Sequence, residues 1–167
     1  MTPLIQNDLN QPPLFLTLPI GAQLTVWGLR HLYPVASGHR TASLPCVWQS
    51  FSQAGLDQGY LNLCELAVCL SEQRATIKTW PPVCQRFIDQ REQAILQVLD
   101  ALYDGNVMNA KAYCNSLVDE GFQGQFLLSA ADLCRDFARR GLHFEHATTS
   151  IEPSLRSSAN PDPIAMH

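Results

Sequence analysis

Between Gly21 and Arg140 the apolar residues recur at helical spacing in six stretches, most of them closed by a glycine or a proline, and that pattern points to an all-α fold. The third stretch is the densest. Nine of the eleven residues 60–70 are apolar, with Asn62 and Glu65 the exceptions. A helix apolar on every side is one surrounded by others, so this stretch, running from an Asp57 cap to about Gln73, is expected to be the central helix. Around it the spacing predicts a first helix from Gly21 to Tyr33 ended by Pro34, and a second from Ser43 to Ala54-Gly55 with Leu44, Val47, Trp48 and Phe51 inward. A fourth is predicted from near Pro82 to Asp104, carrying Cys84, Ile88, Ile95, Leu99 and Leu102 on one stripe. The fifth starts at the Asn106 cap, directs Val107, Ala110, Cys114, Leu117 and Val118 inward and stops at Gly121. The sixth runs from Gln123 to Arg140, burying Leu127, Ala131, Cys134 and Phe137.

Outside the helices the composition changes. Prolines at 3, 12, 13 and 19 exclude a continuous helix over residues 1–20. The run Leu14-Phe15-Leu16-Thr17-Leu18 is too apolar for a free tail, so it is expected as an extended arm lying on the domain. Residues 147–167 are rich in Ser, Thr, Asn and Pro and read as a disordered tail. The expected organisation is therefore an arm over 1–20, a compact bundle of five to six helices over 21–146, and a tail over 147–167.

Charged residues make up 16% of the chain, against a typical value of about 25%, while apolar residues are an ordinary 46%. Thirteen glutamines solvate part of such a surface. The remainder is available to a partner, either another protein or a second copy. A net charge of −4 without a basic block argues against phosphate-dependent nucleic-acid binding. Residues 9–29 carry no charge and are long enough for a bilayer, but three prolines, Gly21 and the polar Asn10, Gln11 and Gln23 argue against a membrane span. The first residues lack a basic segment before an apolar run, so no secretory signal and a cytoplasmic location are expected.

The chemistry-bearing residues are few. Cysteines stand at 46, 64, 69, 84, 114 and 134 without a C-x-x-C pair. Cys64, Cys69, Cys84, Cys114 and Cys134 are expected to pack as small hydrophobes, and Cys46 to be exposed. His143 and His146 form an H-x-x-H pair, a weak metal candidate, because an extended strand after Gly141 would point them to opposite faces. From Leu9 to Leu56 there is no acidic residue, and the only full charges are Arg30 and Arg40, with His31 and His39 beside them. Arg30 lies in an apolar helix, where an unpaired guanidinium is costly. Glu65 is the lone charge in the core of the third helix, so an Arg30–Glu65 ion pair is expected. Alternatively, Arg30, His31, His39 and Arg40 bracket a loop that could receive a small anion.

No nucleophile elbow, P-loop, dinucleotide fingerprint or H-E-x-x-H occurs, and no cofactor is called for. The expected function is a non-enzymatic interaction or accessory module. The alternative is a helical pocket for a small anionic ligand or cofactor near Arg30–Arg40. Cys/His metal or haem binding ranks below both.

Overall fold

A computed structural model describes residues 12–39, 44–72 and 79–144. Among them are six α-helices: α1 (Ile20–Ala36), α2 (Leu44–Gln53), α3 (Asp57–Ser71), α4 (Gln90–Tyr103), α5 (Val107–Cys114) and α6 (Glu120–Arg139). The all-α bundle is as the spacing predicts. α3 packs against α1, α2 and most extensively α6, and α4 completes the bundle against α5 and α6. The core fills from every helix: Val26 and Leu29, Val47 and Phe51, Leu63 and Leu66, Leu96 and Leu99, Ala110 and Cys114, Phe126 and Phe137. α3 is central, though not closed on all sides, for Leu61 and Val68 stand 52% and 45% exposed.

Local chemistry sets the helix ends. The link between α4 and α5 turns at Gly105, whose φ of +76° lies in the left-handed region. There Gly105 N–H donates to Leu102 O (3.1 Å) and Asn106 N–H to Ala101 O (2.7 Å), which together form a Schellman motif. Asn106 then caps α5 by accepting from Asn109 N–H. α1 closes with the same bond pair, and there expectation and structure part. Pro34 does not end α1 but sits in its last turn. So near the terminus its missing N–H forfeits a single bond to the Arg30 carbonyl. Its own carbonyl accepts from His39 N–H (2.8 Å) in the closing motif.

Other boundaries differ from the sequence expectation: α5 ends at Cys114 rather than Gly121 and leaves Val107 half-exposed, and Asp57 is the first residue of α3 rather than its cap. α4 begins at Gln90 rather than near Pro82, because Asp89 and Glu92 make a capping box. Glu92 N–H donates to Asp89 Oδ1 (2.8 Å), and Asp89 N–H donates to Glu92 Oε2 (3.1 Å). Cys84, placed on the helical stripe by the sequence, is therefore in a non-helical segment and exposed. α6 begins earlier, after Asp119, and buries Phe126, Ser129, Ala130 and Leu133 where Leu127 and Ala131 were expected; Cys134 and Phe137 point inward as anticipated.

The N-terminal arm packs in part. It contains a single 3-10 turn, Phe15–Thr17, closed by the Thr17 N–H and hydroxyl donating to Leu14 O. Before the turn it pairs antiparallel with the segment ahead of α4, through Ile88 N–H to Pro13 O (3.0 Å) and Phe15 N–H to Arg86 O (2.8 Å). Leu18 is buried, but Leu14 and Leu16 are not. At the other end, Phe144 stacks on Phe137 at 5.1 Å and His143 O approaches Gly21 so closely that a side chain there would collide. The tail over 147–167 lies outside the described residues. No described helix is long and apolar enough to cross a membrane.

Candidate functional site

The arm and the segment ahead of α4 are held by one buried cation. Arg30 lies on the side of α1 that faces the N-terminus of α4 and is 2% exposed. Its Nε donates to Glu92 Oε1 (2.7 Å) and its Nη2 to Glu92 Oε2 (2.9 Å), a bidentate pair. Two further donors reach the carbonyls of Gln85 (Nη1, 2.6 Å) and Phe87 (Nη2, 3.0 Å). Those carbonyls are two residues apart on one edge of an extended segment, so the guanidinium occupies the place of a neighbouring strand. The other edge of that segment carries the arm. Arg30 also lies 5.4 Å from the centroid of the Phe15 ring.

The expected partner was Glu65, and the structure corrects this. Glu65 is on an exposed face of α3 and accepts from Gln125 Nε2 (2.6 Å). Glu92 did leave a signal. It occupies the inward row Glu92, Ile95, Leu96 and Leu99 of α4, and it completes the Asp89-x-x-Glu92 capping pattern. A carboxylate in an apolar row needs a cation.

The four residues proposed to bracket an anion are not brought together as one site. Arg30 is buried and engaged with Glu92 and two carbonyls. The His31 ring packs edge-on to Trp27 at 4.9 Å, and partial burial lowers its pKa. His39 is exposed beyond Gly38, and Arg40 lies outside the described residues. His143 Nδ1 is 2.7 Å from the Tyr103 hydroxyl, and His146 is outside the described residues. Among the described residues no three His, Cys, Asp or Glu side chains are placed to hold a metal. Cys114 and Cys134 are buried, which pushes their thiols up to about 11 and about 12. Cys46 and Cys84 are the exposed thiols.

What the arm creates is an apolar face. Leu14, Leu16, Ile20, Val83 and Phe87 are 44%, 80%, 69%, 42% and 43% exposed. Phe15 forms a wall common to two open cavities. One, of about 410 Å³, lies between Leu14–Leu16 and Val83–Arg86. The other, of about 300 Å³, is bounded by Ile20, Gln23, Leu24 and Trp27. The sequence singled out the apolar arm but not this face, because 83–87 read as the first turns of a helix. A smaller apolar patch, Leu61 and Val68 with Leu128, stands at the seam of α3 and α6. The chain matches no protein-family model, and neither the curated proteins nor the solved structures contain a match to it.

Proposed function

We propose that this protein is a non-enzymatic interaction module that presents the face built from residues 14–20 and 83–87 to a protein partner. The observation that carries this reading is the gathering of the exposed Leu14, Leu16, Ile20 and Val83 around the cavities that Phe15 divides, with the exposed Phe87 paired to Leu14 across the short ladder. Contiguous apolar exposure of this kind is the usual mark of a docking site. The backbone beneath it is pre-ordered by the Arg30–Glu92 pair and the short antiparallel ladder. Pre-ordering reduces the entropy lost on association. The six cysteines are all unpaired, which suits a reducing cytoplasm.

The test compares native mass spectra of the tagged protein with those of a Leu16→Asp/Ile20→Asp variant, each drawn from host lysate. Both side chains are more than half exposed, so the fold tolerates the change. The reading expects one stoichiometric protein partner, or a second copy, on the wild type and its loss from the variant. A partner retained by the variant moves the docking site elsewhere, the α3–α6 patch first. A second reading has one observation in its favour: Arg86 lines the larger cavity. There the cavity holds a small amphiphilic anion, which would appear as an extra small mass on a bare monomer.

A further inference from the structure

The docking face carries a charge pattern that selects its occupant, and we infer that the segment it takes is an acidic amphipathic one, offering large apolar side chains and a carboxylate. This deepens the docking reading above and rests on it. The chain as a whole is acidic, with 15 Asp and Glu against 11 Lys and Arg. The face is not. Across residues 12–27 and 79–88 the only ionic side chain is Arg86. Arg86 is exposed, lines the larger cavity, and makes no ion pair among the described residues. The nearest acid along the chain, Asp89, caps α4 through its Oδ1 and has Arg91 within 3.9 Å. The Arg86 backbone is fixed, since its carbonyl accepts from Phe15 N–H. The face therefore holds, at an apolar rim, a cation on a fixed backbone whose guanidinium has no ion-pair partner among the described residues.

Three kinds of segment can be compared there. A basic one meets repulsion from Arg86, and across 12–27 and 79–88 no carboxylate offsets it. A neutral apolar one desolvates the guanidinium without giving it a partner. An acidic one supplies a bidentate acceptor where the apolar surroundings strengthen the pairing. The two cavities on either side of Phe15 then each take one apolar side chain, as in the groove binding of an amphipathic helix.

The probes are an amphipathic leucine–glutamate peptide of roughly 14 residues, with leucines at helical spacing, and its leucine–lysine counterpart. Calorimetry measures affinity and amide NMR locates the contact on the full chain. The glutamate peptide is expected to bind about tenfold or more tightly than the lysine peptide, shifting amides in 14–27 and 83–87. Arg86→Gln brings the two affinities to within roughly threefold of each other. Leu16→Asp abolishes binding with the melting temperature unchanged. Equal or tighter binding of the lysine peptide overturns the inference, as does a preference that survives Arg86→Gln, or shifts centred on Leu61, Val68 and Leu128. Decanoate that saturates the same amides and displaces the peptide overturns it in favour of a small amphiphile. If a lysate partner is lost with Leu16→Asp/Ile20→Asp but the charge preference is absent, the acidic segment falls and the docking face stands. If neither is seen, both fall.

Discussion

Glu92 and two backbone carbonyls between them take the Nε, Nη1 and Nη2 donors of the buried Arg30. Removing it would leave the Glu92 carboxylate buried without its cation. Arg30→Met is expected to destabilise the fold by about 3–5 kcal/mol. Replacing both partners, as Arg30→Met/Glu92→Leu, should recover a large part of that, because two apolar side chains leave no orphaned charge. Urea denaturation of the four proteins in the cycle measures the coupling, and additive effects would refute the pair. The need for a partner was legible in the sequence, since α1 is apolar around Arg30. The partner was not. Glu65 looked isolated in an apolar helix, whereas Glu92 sat among Asp89 and Arg91 and resembled a solvated helix start. Which lone charge meets which depends on how α1 lies against its neighbours. Cys84 illustrates the same limit: its burial was expected from a helix that in fact begins six residues later, and it is exposed.

At the scale of the element, glycines separate backbone requirements from packing ones. A Cβ at Gly105 would meet nothing within 4 Å, and the same holds for Gly124 inside α6. Of these two, Gly105 alone has positive φ. Gly105→Ala should therefore lower stability by about 1–2 kcal/mol, the strain of a left-handed alanine. Gly124→Ala should raise it by about 0.5–1 kcal/mol, because alanine loses less chain entropy in a helix. Thermal melts of the two variants should move in opposite directions, and a common direction would contradict the account. The Gly105 turn and the Asn106 cap were legible because turn chemistry is local. The register of α6 was not. Phe126 and Leu127, and Ala130 and Ala131, are adjacent apolar pairs, so either row makes an acceptable stripe. Packing against α3 and α4 selects Phe126, Ala130 and Leu133.

For the whole molecule, the arm links the chain's first described residues to α4 through Arg30. A protein lacking residues 1–18 loses the buried Leu18, the Phe15 face over Arg30 and both ladder bonds. Its melting temperature should fall by several degrees, consistent with a loss of about 1–2 kcal/mol in a domain of this size. Leu16→Asp, at an 80% exposed position in the same arm, should leave it unchanged. Equal behaviour of the two would mean that the arm is not part of the folded unit.

Local pattern was enough for the all-α class, the central place of α3, the turns at Gly55, Gly105 and Gly141, and the apolar character of the arm. Each of these follows from interactions within one helical turn or from the period of one stripe. It took the packing of the helices to fix that Arg30 pairs with Glu92, that 85–88 lies extended beside the arm, and that arm and segment expose an apolar face edged by Arg86. Those outcomes join residues more than fifty positions apart. The energies that select them, burial of a charge and pairing of backbone across segments, exist only once the helices have packed.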